Sequence, residues 1–175
     1  MFAFYRRLTD QLDPIGDALM PTLSRLTFAG VLLVYYWNSG MTKLGDGIFG
    51  FLAPRSGAYK QIFPKAFEAT GYDTSQLSIF HWAVVTGGTI AEFVLPLLIV
   101  VGLLTRLSAI AMIGFIIVQS LTDLFGHGAD LGGWFNRASG ELIADQRAFW
   151  ILALLILVFK GAGPLALDRF FRNAP

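Results

Sequence analysis

No cysteine occurs among the 175 residues, which excludes disulfides, thiolate metal sites, a thiol nucleophile and iron–sulfur ligation from this chain. Charge is scarce as well: Asp, Glu, Lys and Arg make up 14% of the residues, against about 25% in ordinary globular proteins. The formal net charge of +1 gives no electrostatic ground for a nucleic-acid or strongly acidic partner. No polar stretch is long enough to bury a soluble core of its own, and there is no internal repeat or low-complexity tract. What remains is apolar: 55% of the residues are hydrophobic and sixteen are phenylalanine. This is the composition of a membrane protein, expected as one integral membrane domain over residues 1–175.

Four apolar runs, at about 21–40, 80–104, 107–124 and 147–164, approach the roughly 20 residues that a bilayer core requires of a helix. They predict an all-α fold, a four-helix transmembrane bundle. The first opens with Pro21 and ends in Tyr35, Tyr36 and Trp37, aromatics of the kind that settle at headgroup depth. The second and third are joined by the tight "GLLTRL" turn and so form an antiparallel hairpin. The fourth starts near Trp150 and ends at Lys160, before Gly161, Gly163 and Pro164. Two long loops, about 41–79 and 125–146, lie on the side opposite the termini; the first contains a helix signal near 58–70.

Ahead of the first span, Phe2, Tyr5, Leu8, Leu12, Ile15 and Leu19 recur at three- and four-residue steps, an amphipathic segment expected to lie on the membrane surface. Asp13 followed by Pro14 predicts a cap and a new first turn, hence two short helices. A cleavable signal peptide is disfavoured by the late apolar run and its bulky aromatic end. The terminal side carries seven basic residues to four acidic ones, and the loop side six, Lys43 and Arg147 among them, to seven. Weighting short loops and residues near the span ends puts both termini in the cytoplasm.

Glu92 is the one acid deep inside a span. A carboxylate at bilayer depth costs at least about 2.5–3.5 kcal/mol, so it faces the bundle interior and takes a partner. Pro96, four residues on, removes the N–H that the Glu92 carbonyl would accept from. Gly87, Gly88 and Thr89 thin the preceding turn and add a hydroxyl, so the segment reads as the wall of a cavity. Gln119 on the third span is the other polar candidate, reachable only with tilt or a bridging water. Two readings stand: a protonated Glu92 tying helices together, or an acid that accepts protons or binds a headgroup in a cavity.

His81 and His127 fall on the loop side, with Asp123 four residues before His127 and Asp130 just after it. Imidazole with carboxylate suits copper, zinc or iron, or a proton relay, and a bis-histidine haem is also conceivable. Each histidine alone also reads as an interfacial or turn residue. The aromatics are mainly lipid-facing or packing residues. Tyr35, Tyr36, Trp37 and Trp82 are also suited to sandwich a quinone ring, with Asn38, Ser39 and Lys43 as polar contacts.

The first span ending "YYWNSGMTKL", the acid in "AEFVLPLLIVVGLLTRLSAIAMIGF" and the closing "GAGPLALDRFF" resemble the DoxX family of small four-helix bacterial membrane proteins, over about residues 25–170. Most telling is the acid, Glu92, followed about ten residues later by Gly102 to Arg106; next is Gly161 to Asp168. The resemblance implies a bacterial inner-membrane protein working with partners in redox complexes: relatives include a membrane subunit of a thiosulfate:quinone oxidoreductase. With no cysteine, any sulfur chemistry here needs a partner.

The resulting expectation is a subunit of a quinone-linked redox system. Glu92 would exchange the proton, Gln119 and Thr89 would orient a carbonyl, and His81 or His127 would relay protons outward. The rival is a non-catalytic anchor or a metal-handling partner protein using His81, Asp123, His127 and Asp130. A small transporter is disfavoured by the single intramembrane acid and the lack of a discontinuous helix pair.

Overall fold

The computed structural model describes residues 2–172; the side chains of Phe2, Arg7 and Leu8, counted above, lie outside the described residues. The described structure is helical, with four helices long and apolar enough to cross a membrane: Thr9–Lys43, Ile79–Val101, Thr105–Gly126 and Leu142–Lys160.

The first span is longer than the sequence suggests. Helix α1 (Phe2–Phe28) passes through a π-helical turn, Ala29–Leu33, directly into α2 (Val34–Lys43). The break expected at Asp13–Pro14 does not occur: both Pro14 and Pro21 lie inside α1. Each proline removes one helical hydrogen bond, but Pro14 and its neighbours are exposed, where water can satisfy the freed carbonyl. The amphipathic segment is thus continuous with the first span instead of forming two separate helices. Its Tyr5, Leu12, Ile15 and Leu19 stay exposed.

Helices α3 (Ser56–Ile62) and α4 (Pro64–Ala69) replace the single helix expected near 58–70. Proline disfavours helical geometry in the residue before it, so Phe63 leaves the helix (φ −127°) and Pro64 opens the next one. Ala58, Tyr59 and Phe67 bury themselves against Val85 on α5 (Ile79–Val101). The His127 ring meets the Gln61 carbonyl at 2.8 Å, which ties α3 to the end of the third span. That span is α6 (Thr105–Leu121) extended by a π-helical turn, Thr122–Gly126. The fourth starts five residues earlier than expected, in the π-helical turn Leu142–Gln146, continues as α7 (Arg147–Lys160), and stops where Gly161 takes φ +80°. Asp168–Arg172 forms a last short helix, α8.

Around the bundle α1 packs on α7, α7 on α6, α6 on α5, and α5 on α2. Phe28, Leu32, Tyr36, Ile99, Met112 and Leu154 fill the centre.

The terminal end is closed by one side chain. Arg25 donates to the carbonyls of Ile99 (3.0 Å) and Val100 (2.6 Å) at the end of α5, and to those of Ala162 (3.0 Å) and Leu165 (2.5 Å) beyond α7. The two α5 carbonyls lie in its last turn, at the negative end of the macrodipole, and the Ala162 and Leu165 carbonyls lie outside any helix; a guanidinium supplies both pairs with donors and a positive charge. Asp168 accepts from the Leu104 and Thr105 amides at 2.7 and 2.9 Å, at the start of α6. Gly102 sits between: its φ is +71°, and a Cβ there would come within 2.5 Å of Ala166 and 2.8 Å of the Arg25 guanidinium carbon. The motifs Gly102–Arg106 and Gly161–Asp168 therefore meet as two halves of one structural closure.

Candidate functional site

Between α5 and α6 lies a cavity of ≈ 350 Å³. Gly87, Gly88 and Ala91 on α5 and Ala111 and Gly114 on α6 form its thin walls, so the gap follows from small residues on both facing helices. Gln61 and Ile62 of α3 line it from the first long loop. Its polar groups are Ser39, Lys43, Gln61, Glu92, Gln119, Thr122 and Asp123.

Glu92 finds its partner on the first span. Lys43 Nζ lies 2.9 Å from both carboxylate oxygens, and the two side chains are 3% and 6% exposed. The Ser39 hydroxyl donates to Glu92 Oε1 at 3.0 Å and accepts from Lys43 Nζ at 2.7 Å. A further Lys43 contact, to the Ser39 carbonyl, is longer at 3.2 Å. Lys43 is the last residue of α2; the chain then turns extended at Leu44, and the Arg55 amide holds the Lys43 carbonyl at 3.0 Å. Close approach of α2 to α5 rests on Gly40, where a Cβ would fall 2.6 Å from the Phe93 ring. Glu92 lies thirteen residues into α5, about 20 Å along its axis. Helix α2 therefore ends well short of the start of α5, and α3 and α4 cover the remainder.

Gln119 lines the same cavity but bonds elsewhere: the Tyr36 hydroxyl donates to its Oε1 at 3.3 Å, and its Nε2 donates to the Tyr35 hydroxyl at 3.1 Å. Arg147, 2% exposed, pairs with Asp123 and donates to the Ser120 hydroxyl at 3.0 Å. Three separate polar clusters thus lie in the bundle: the buried Lys43–Glu92–Ser39, then Tyr36–Gln119, and the half-buried Ser120–Asp123 held by the buried Arg147.

The other expected ring-binding residues do not gather at the cavity. Thr89 is fully buried and donates to the Val85 carbonyl of its own helix at 2.8 Å. Tyr36 is fully buried in the core, Trp37 Nε1 donates to the Phe93 carbonyl at 3.2 Å, and Trp82 Nε1 donates to the Leu52 carbonyl at 2.8 Å. Of the proposed metal ligands, His81 bonds Ser78 at 2.8 Å and packs edge-on to Phe63, while Asp123 is engaged with Arg147 and His127 with Gln61. Asp130 accepts from the Gly132 amide at 3.1 Å. Among the described residues no group of three or more His, Asp or Glu side chains assembles a metal site.

Lys43 and Arg147 read as loop charges in the sequence, and Arg25 as an ordinary basic residue near a span end. A signal was present for the first: Ser39 and Lys43 are four residues apart, one face of a helix if the helix runs that far. A buried acid also requires a cation, and Lys43 is the nearest one beyond the first apolar run.

Fold and site together define a class: a polytopic four-span membrane protein with a buried ion pair beside a lateral cavity. The DoxX family model matches residues 21–128, more than half of the chain, and the chain belongs to the DoxX family. The matched segment contains Ser39, Lys43, Glu92, Gln119 and Asp123. No curated protein and no solved structure matches it.

Proposed function

We propose that the chain is an inner-membrane subunit of a quinone-linked redox system, with the α5–α6 cavity taking the quinone ring and the Lys43–Glu92 pair handling its proton. The observation that carries this reading is an apolar slot with a buried acid–base pair at its edge. A flat ring with two carbonyls needs thin apolar walls and a few donors. Gly87, Gly88, Ala91 and Gly114 supply the walls; Lys43, Gln119 and Ser39 supply donors. The volume falls within the roughly 300–1,000 Å³ usual for small-molecule sites.

When bound, a quinone takes two electrons and two protons to become the quinol. The electrons come from a partner protein, since this chain has no thiol to donate them. Lys43 commits its N–H donors to Ser39 and Glu92. Meeting a carbonyl therefore means releasing the longest contact, that to the Ser39 backbone. A proton passed on at Lys43 Nζ leaves a neutral amine beside Glu92, and the pair regains its charge by taking up a proton from the cavity that Asp123 also lines, once for each of the two protons.

Burial of Arg25, Lys43 and Arg147 supports the orientation with both termini in the cytoplasm. These three are bundle charges and not loop charges. Seven basic residues on the terminal side less Arg25 leave six; six on the loop side less Lys43 and Arg147 leave four. The excess on the terminal side is the pattern of a cytoplasmic face.

Glu92→Gln alone is a poor test, because it strands the Lys43 charge in an apolar interior. The double variant Lys43→Met/Glu92→Gln removes both charges together. In membranes carrying the full system it should reach normal levels and lower quinone-linked turnover by about 100-fold, as loss of a general acid does. Wild-type turnover in that variant would refute the reading.

A further inference from the structure

A second cavity, larger at ≈ 770 Å³, opens at the terminal end between α1 near Asp17, the α5–α6 turn and the end of α7. It sits where α5 ends, α6 begins and α7 ends, so it lies at the edge of the apolar spans. Three cations line it: Arg106, Lys160 and Arg169.

Two acids line it too, and both are engaged. Asp17 pairs with Lys160 at 2.5 Å, and the Asp168 oxygens accept from the Leu104 and Thr105 amides. Arg106 and Arg169 have no ion pair among the described residues. Each makes one long contact to a backbone carbonyl, 3.3 Å to Phe159 and 3.4 Å to Pro164. Two guanidiniums without a counter-anion thus border one cleft, and guanidinium forks match the geometry of phosphate oxygens. Below them Leu104, just before α6, and Leu107 and Ile110 on its outer face are 57%, 65% and 53% exposed, an apolar track leading away from the cleft.

We propose that this cleft binds the headgroup of an anionic phospholipid, its phosphate held by Arg106 and Arg169 and its acyl chains lying along Leu107 and Ile110. Basic pockets between spans at the membrane surface are suited to such headgroups, on the cytoplasmic side above all, where the orientation proposed above puts this cleft. Free phosphate shares the headgroup chemistry, but the apolar track favours a lipid. The site is independent of the α5–α6 cavity, and its failure leaves the quinone reading untouched.

The test is native mass spectrometry of the full-length protein released from detergent, titrated with dioleoyl phosphatidylglycerol, dioleoyl phosphatidylcholine or inorganic phosphate. Wild-type protein should retain phosphatidylglycerol at least about tenfold better than phosphatidylcholine, the equivalent of one charge-assisted contact. Millimolar phosphate should not displace the lipid. Arg106→Gln/Arg169→Gln should erase the preference while leaving the melting temperature in detergent unchanged. Equal retention of the two lipids by wild-type protein overturns the proposal without reference to any variant. So does displacement by phosphate, or an undiminished preference in a folded double variant.

Discussion

Arg25 and Lys43 are two cations buried in the same first span, and the bundle treats them differently. Arg25 meets four backbone carbonyls, two in the last turn of α5 and two in the turn segment between α7 and α8. None of those acceptors changes protonation at any accessible pH. Lys43 meets a carboxylate and a serine, side chains that rotate and titrate, beside an open cavity. Both arrangements offset the cost of a charge in lipid. One ties α1 to the end of α5 and to the segment after α7; the other keeps a proton next to a space that a ligand can enter.

The strongest way to break this contrast is Arg25→Met. It strips the Val100, Ala162 and Leu165 carbonyls of their donor and leaves Ile99 only its 3.2 Å bond from the Gly102 amide. Each buried acceptor left without a donor costs about 1–3 kcal/mol, so the variant should accumulate poorly and melt far below wild type in detergent. A near-normal melting temperature would show that the closure at the terminal end is held by something else.

Lys43→Met should cost nearly as much, since Glu92 is left charged or forced to protonate, about 3–5 kcal/mol at the upper limit. Here the double variant separates the two regions. Lys43→Met/Glu92→Leu replaces a buried pair with apolar groups, which is near neutral for stability in comparable cases. Thermal unfolding should recover to within about 1–2 kcal/mol of wild type. Failure to recover would make the pair a structural strut like Arg25.

The four spans were legible because length and hydropathy alone specify them, and Glu92 was legible because an acid in lipid demands an explanation. The hairpin turn and the closing Gly161–Asp168 segment were visible as motifs, but their joint role was not: it depends on Arg25, whose partners are 74 to 140 residues away. Both ends of the first helix depart from local rules. Those rules favour a break at Pro14, whereas exposure of that turn makes the lost hydrogen bond tolerable. At the other end the apolar run stops at residue 40, which places Lys43 in a loop, while the helix continues through it. Sequence spacing groups Asp123 with His127 and Asp130, but the long-range pairing of Asp123 with Arg147 leaves no trace in that spacing.

A smaller effect should come from Asp168→Asn. Burial alone would raise the Asp168 carboxyl, but the Thr105 and Leu104 hydrogen bonds together with nearby Arg25 hold it below the ordinary value of 3.8. A carboxylate lowered on folding contributes stability that is present above its unfolded value and lost as pH falls through its folded value. The variant should lose about 1 kcal/mol at neutral pH, the usual worth of a cap. The gap to wild type should close as the solution is acidified below 3.8. A gap constant with pH would assign the loss to packing instead of charge.

The smallest stability effect, and the sharpest separation of cavity from scaffold, belongs to Gly114. It lines the α5–α6 cavity, and a Cβ built on it meets nothing within 4 Å. Gly114→Ala should therefore leave the fold intact and gain up to about 1 kcal/mol from helix propensity. Gly114→Leu carries the side chain into the space assigned to the quinone ring while touching neither Lys43 nor Glu92 by charge. The melting temperature should stay within a few degrees of wild type as quinone-linked turnover falls and its apparent KM for quinone rises. Because Arg25 and the ion pair are unaltered, only occupation of the slot separates this variant from wild type. Unimpaired turnover in Gly114→Leu would mean that the gap is a packing defect between small residues, and the Lys43–Glu92 pair would then be read as glue.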